Sequence, residues 1–191
     1  MKNLCLITMF TPLLVCIFGC TSQQKEQLTQ QQKDQIKKEI LVVCDSISVR
    51  LHRLDEGWFD YYIDSPDWAM LNADGTRWDY QTTRKVQPDF FNSVISLEWT
   101  MINQKFIFLT KDIVICSIDS KDETILKAAD KINSDKNLNS LYPNDSITKS
   151  GDRITYDPHA YTLIFKKIDG QWKVIYSHDS GFPVIQKSEQ E

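Results

Sequence analysis

The chain has 191 residues, 41% of them hydrophobic and 25% charged, with a net charge of −4. Such proportions belong to one globular domain, and six Gly with six Pro exclude a collagenous or Pro/Gly-rich low-complexity chain. The acidic balance provides no basic footprint, so no nucleic-acid partner is expected.

Lys2 precedes an uncharged run of 16 residues from Leu4 to Gly19. A membrane span takes about 20 apolar residues, so the run suits a signal peptide instead. It ends in Ile17-Phe18-Gly19-Cys20, which resembles a bacterial lipobox, with an aliphatic residue at −3, a small one at −1 and a Cys that is diacylated. Phe18 is bulkier than the usual −2 residue. The resemblance implies a lipoprotein signal peptide over 1–19, lipidation at Cys20, and a protein held by its lipid to a membrane of the bacterial cell envelope, at the outer membrane or the periplasmic face. Acyl chains contribute about 0.8 kcal/mol per buried CH₂, and several together anchor stably.

Residues 20–35 contain seven Gln and one large apolar residue, a polar tether too poor in apolar surface to fold alone. Ile36, Ile40, Val43, Ile47, Leu51 and Leu54 then recur every three or four residues, which predicts an amphipathic helix of about five turns. Trp58 to Ile63 reads as a short aromatic helix stopped at Ser65-Pro66-Asp67. Trp68 to Leu71 reads as a strand, and Asn72-Ala73-Asp74-Gly75 as a hairpin turn. Asp79 can cap a helix from Tyr80 to about Leu97, kinked or divided at Pro88. Strands follow over Glu98 to Leu109 and Ile113 to Ile118, joined at Lys111-Asp112. Residues 119–152 break the alternation and read as a loop with a short helix over Thr124 to Ile132. Strands Ile154 to Ile168 and Gln171 to His178, joined at Asp169-Gly170, close the chain. Helices followed by a run of antiparallel strands argue an α+β domain over 36–186, with a tail over 187–191.

Gly75-Thr76-Arg77-Trp78-Asp79-Tyr80 leading to Pro88-Asp89-Phe90-Phe91 resembles SnoaL-like members of the nuclear transport factor 2-like superfamily. So does Tyr161 to Phe165 followed by Asp169-Gly170 and Trp172 to His178. The tail through Ser180-Gly181-Phe182-Pro183 is similar to the end of the calcium/calmodulin-dependent kinase II association domain. The resemblance implies a cystatin-like half-barrel: a cone-shaped, curved antiparallel sheet wrapped around a long N-terminal helix, with a pocket at its open end. The loop 119–152 departs from the family as an insertion. In that superfamily the pocket serves ketosteroid isomerases, dehydratases, cyclases and non-enzymatic binding or dimerisation modules, and fold alone does not choose among them.

The chain carries no HxH, HExxH or CxxC spacing, so no metal site and no cofactor is expected. Cys44 and Cys116, the two Cys left beyond Cys20, are expected as buried free thiols. His178 is the candidate catalytic group, because alternation of Trp172, Val174, Tyr176 and His178 on one strand face would place its imidazole at the pocket. His159, after Pro158, reads as a mouth or loop residue, and His52 as a partner of the helix dipole. An isomerase needs a carboxylate base facing a Tyr, for which Asp60, Asp64 or Asp74 with Tyr62, Tyr161 or Tyr176 are available. The expected ligand wall is Trp58, Tyr62, Trp78, Phe91, Tyr161, Tyr176 and His178, suited to a small apolar or amphipathic ligand. The reading is a ligand-binding or self-associating module, expected as a homodimer, without catalysis. The alternatives are an isomerase or hydro-lyase and a dimerisation scaffold of an envelope complex. An ionisable group deep in the pocket favours the enzyme.

Overall fold

The computed structural model describes residues 27–73, 75–127 and 151–187. Cys20 and the signal segment lie outside the described residues, as do Asp74 and most of the inserted loop.

Helix α1 spans Gln30–His52. It begins inside the expected tether because Thr29 and Gln32 form a reciprocal capping box, the Thr29 hydroxyl accepting from the Gln32 backbone and the Gln32 side chain from that of Thr29. Its buried stripe is Ile36, Ile40, Cys44 and Ile47. Leu54, expected to continue the stripe, lies beyond the helix end in the left-handed region at φ 54°. Residues Glu56–Tyr61 form a 3₁₀ segment capped by Asp55. Strands β1 (Ala69–Leu71) and β2 (Arg77–Trp78) pair as a hairpin.

Helix α2 spans Tyr80–Ser93, with the Asp79 carboxylate accepting from the Thr82 amide at 2.6 Å. It runs through Pro88 but stops short of the expected Leu97, because Val94 and Leu97 already belong to β3 (Val94–Phe108). Strand β4 covers Ile113–Leu126, eight residues beyond the expected Ile118. Residues 119–126 are therefore strand, not loop, and Thr124 to Leu126 is not helix. Strands β5 (Arg153–Ile168) and β6 (Gln171–Gly181) turn at Asp169-Gly170, both with positive φ, as a two-residue hairpin requires. A short β7, Val184–Gln186, folds back onto β5.

The sheet order is β2-β1-β6-β5-β4-β3, antiparallel except where β1 runs parallel to β6. The architecture is α+β as expected, with the sheet mixed rather than purely antiparallel. One core cluster joins α1, the 3₁₀ segment and the inner faces of β4, β5 and β6 through Ile40, Phe59, Trp68, Ile118, Phe165 and Val174. A smaller one gathers Trp78, Val86, Val94, Leu126 and Ile154 around α2. The Ser48 hydroxyl donates to the Trp99 carbonyl at 2.9 Å and ties α1 to β3. Cys44 and Cys116 are both buried and free, and burial pushes the Cys116 thiol up to about 12.

Two bulges decide which side chains reach the interior. In β6, Val174 pairs with Phe165 and Tyr176 with Ile164, so Ile175 is an extra residue. Even positions face inward before it (Trp172, Val174) and odd ones after it (Ser177). In β5, Tyr156 pairs with Asp122 and His159 with Ser120, which leaves an extra residue at the cis Asp157-Pro158 bond. Proline cannot donate to a ladder and is confined to such irregularities inside a sheet. Ile154 is therefore buried before the bulge, and His159, Leu163 and Phe165 after it.

Candidate functional site

A cavity of about 200 Å³ lies between α1 and the inner face of the sheet. For scale, an apolar cavity of roughly 150 Å³ holds benzene. Ile47 and Leu51 of α1, Trp58 and Tyr62, Phe90 of α2 and Trp99 of β3 supply apolar walls. Apart from Asn72, just after β1, the polar groups come from three adjacent strands: Asp122 and Thr124 on β4, Tyr156, His159 and Tyr161 on β5, and Ser177 and Asp179 on β6.

Asp122 organises this floor. Its Oδ2 accepts from the Tyr161 hydroxyl at 2.6 Å and lies 2.8 Å from His159 Nδ1, while its Oδ1 accepts from the Ser120 hydroxyl at 2.8 Å. A carboxylate that accepts from two hydroxyls is an acceptor toward its third partner as well, so the proton between it and His159 sits on Nδ1. That tautomer leaves His159 Nε2 as the basic nitrogen, 3.8 Å from Asp179 Oδ2 and with no hydrogen-bond partner of its own. The imidazole is clamped on its faces as well, stacked on Tyr156 at 4.6 Å and tilted against Tyr161 at 4.4 Å. Burial, then the charges of Asp122 and Asp179, push the Tyr161 phenol well above its ordinary value, so it stays a neutral donor. Burial does the same to Tyr62, helped by Cys44 and Asp179.

Trp58, Tyr62 and Tyr161 line the cavity as expected. Trp78 and Phe91 are buried but do not line it: Trp78 sits in the smaller cluster, and Phe91 packs beside Phe90. Tyr176 and His178 are also absent from its wall, because the bulge at Ile175 turns Ser177 and Asp179 inward in their place. His178 therefore does not line the cavity; His159, read as a mouth or loop residue, does, and it lies within β5. Asp60 pairs with Arg84 at the surface and the Asp64 carboxylate accepts from Gln81, so neither faces the cavity Tyr residues. Of the missed carboxylates, Asp179 depends on the bulge in β6, but Asp122 had a signal in the sequence. Ser120, Asp122 and Thr124 continue the even-numbered inward series Val114, Cys116, Ile118 without a break in period. Among the described residues no group of three His, Cys, Asp or Glu converges as a set of metal ligands.

No protein-family model matches the sequence, and no curated protein is significantly similar to it. Solved structures are similar in fold. A hexachlorocyclohexane dehydrochlorinase from Novosphingobium barchaimii superposes with a TM-score of 0.60 at 11% identity, over 85% of this chain and 98% of its own. A nuclear transport factor 2-like superfamily protein from Salmonella enterica gives 0.56 at 10% identity, over 78% and 92%. The chain has the nuclear transport factor 2-like fold. A protein of that fold from Prochlorococcus, of unknown function, gives 0.53 at 19% identity over 76% of this chain. In this chain the inner face of the sheet and α1 bound the cavity in which Asp122, His159 and Asp179 meet.

Proposed function

We propose that this domain binds a small, largely apolar molecule in the cavity and moves a proton on it, as an isomerase or a lyase that eliminates a small leaving group. The observation that carries the reading is a buried His159 oriented by Asp122, with its second nitrogen toward Asp179, on the floor of a cavity with aromatic walls. Acid–base catalysis needs a titratable group held in one tautomer with its basic atom at the substrate. A binding module needs apolar walls but no such network, and an unsupported buried polar cluster costs stability. One structural neighbour is named for dehydrochlorination, a net loss of a proton and a chloride. In this chain His159 takes the proton, Asp122 and Tyr161 hold its ring, Asp122 balances the resulting imidazolium, and Asp179 stabilises that charge from the other side. We further propose that Cys20 bears the lipid that attaches the domain to the cell envelope.

Native mass spectrometry of the purified protein reports a retained ligand. That ligand, incubated with the protein in D₂O, is expected to gain deuterium at an acidic C–H or to lose a leaving group. The substitution His159→Gln should slow either event by about a hundredfold or more. A retained ligand that neither exchanges nor eliminates, and that H159Q holds as well as the wild type, would make the domain a binding module.

A further inference from the structure

Charge is divided unevenly between the two ends of α1. Lys33, Lys37 and Lys38 stand on its first turns. The β3–β4 hairpin brings Lys105 and Lys111 to the same end, and the end of β5 adds Lys166 and Lys167. Contacts fix the placement: the Lys37 ammonium lies 5.5 Å from the centre of the Phe106 ring, Lys167 Nζ is 2.8 Å from Glu39 Oε2, and the Lys167 amide donates to the Asp112 carbonyl at 2.8 Å. Against these seven lysines the same end has four carboxylates, Asp34, Glu39, Asp112 and Asp169, a net of +3. The remaining described residues carry ten basic and fifteen acidic side chains, a net of −5. The cavity lies toward the acidic end, since α1 contributes Ile47 and Leu51 to it, roughly 20 Å or more along the helix from Lys33.

The hairpin tip is apolar as well as basic. Ile107 and Leu109 are 48% and 50% exposed, and Lys105 and Lys111 flank them in the chain. Aliphatic side chains between long cationic ones match the headgroup level of a bilayer, where apolar stems are buried and ammonium groups stay wet. The basic end is also where the chain leaves toward Cys20. The nine residues between that Cys and α1 reach at most about 30 Å, even fully extended. We propose that this end, with its lysines around Ile107 and Leu109, docks on an anionic membrane surface and turns the cavity away from it. The choice of a membrane over an acidic protein rests on the proposed attachment at Cys20. Anionic headgroups attract the basic end and repel the acidic one, so the domain is oriented as well as held.

Lysine footprinting tests this. The purified full-length protein is reconstituted at low salt on vesicles of phosphatidylcholine, or of an equal mixture with phosphatidylglycerol, and acetylated briefly with an amine-reactive ester. Acetylation of Lys37, Lys38, Lys105, Lys111 and Lys166, read by peptide mass spectrometry, should fall about threefold or more on the anionic vesicles and recover at high salt. Lys85 on α2 and Lys127 just beyond β4, both exposed, should react alike on the two. Substituting Lys105→Gln, Lys111→Gln and Lys166→Gln together, all at exposed positions, should abolish the protection of Lys37 and Lys38. Equal reactivity on the two vesicles, equal protection of Lys85 and Lys127, protection that survives the triple substitution, or attachment to neither vesicle overturns the proposal. Attachment to neutral vesicles without the lysine protection leaves the Cys20 anchor standing, whereas protection on anionic vesicles without attachment to neutral ones removes the anchor and keeps the docking face.

Discussion

His159 Nδ1 and Asp122 Oδ2 lie 2.8 Å apart on adjacent strands, although 37 residues separate them in the chain. The pair is buried, and Asp122 also receives the Tyr161 and Ser120 hydroxyls. Replacing the carboxylate by an amide leaves one donor facing others. Asp122→Asn should therefore lower unfolding free energy by about 3 kcal/mol, measured by urea denaturation, because three buried donors lose their charged acceptor. A loss below about 0.5 kcal/mol would mean that the network is not held as described.

Gly181 sits where any side chain would strike the imidazole. A Cβ there would come within 2.7 Å of His159 Cδ2 and 3.1 Å of Tyr156 Cδ1. Gly181→Ala should cost about 2 kcal/mol by overpacking and shift the His159 ring resonances in proton NMR. In a His159→Ala background the same change should cost much less, a coupling that a double-mutant cycle reads directly. Additive losses would show that Gly181 does not shape the site.

Phe59 and Phe90 separate core from cavity. Phe59 is fully buried and does not line the cavity, whereas Phe90 is half-buried and does. Phe59→Ala should cost about 4 kcal/mol of stability. Phe90→Ala should cost about 1 kcal/mol yet weaken ligand retention more than tenfold, scored by native mass spectrometry. If the two variants rank the same way in both measurements, the cavity is merely part of the core.

Much of this fold is legible in the sequence. The α1 stripe short of Leu54, the β1–β2 hairpin, the Asp79 cap and the Asp169-Gly170 turn each arise from a local signal and stand as expected. The site is less so, for one physical reason: its strands carry polar residues on their inward faces. Ser120 and Asp122 therefore read as loop, Thr124 as the start of a helix, and His159, which comes directly after a proline, as a mouth or loop residue. Burial of a polar residue is decided by partners on other strands, so even the unbroken period of β4 carries no hydrophobic mark at these positions. His178 and Tyr176 fail as site residues for a different cause, since strict alternation has no means of anticipating an inserted residue.

Glu39 predicts the acid limb of stability. Its carboxylate accepts from Lys167 and Trp172, each at 2.8 Å, and these bonds with one from Gln35 hold it down at about 2 against an ordinary 4.5. A depressed carboxylate contributes stability that is present above pH 4.5 and lost as pH falls toward 2. Because about a third of the side chain meets solvent, the contribution is about 1 kcal/mol. Glu39→Gln should lower stability by that amount at pH 7 and flatten its decline between pH 4.5 and 2, followed by thermal melts. Parallel acid limbs in the two proteins would refute the assignment.

Lipid attachment has its own test. Cys20→Ser is expected to move the protein from the membrane to the soluble fraction, or to block removal of residues 1–19. Unchanged fractionation and unchanged mass would dismiss the anchor.

The position of the bulge in β6, more than the identity of any one side chain, selects the chemistry offered to the cavity. Upstream of it, Trp172 and Val174 belong to the core wherever the extra residue is accommodated farther along the strand. Downstream, Ser177 and Asp179 reach the cavity only because Ile175 absorbs one step of the alternation. Deleting Ile175 would straighten the strand and keep both sets facing inward. Sliding the irregularity past residue 179 would instead bring Tyr176 and His178 to the wall and carry Asp179 to the outer face. One unaltered stretch of sequence thus encodes two alternative linings, a carboxylate-bearing one and an imidazole-bearing one, separated by a displacement of a single backbone defect.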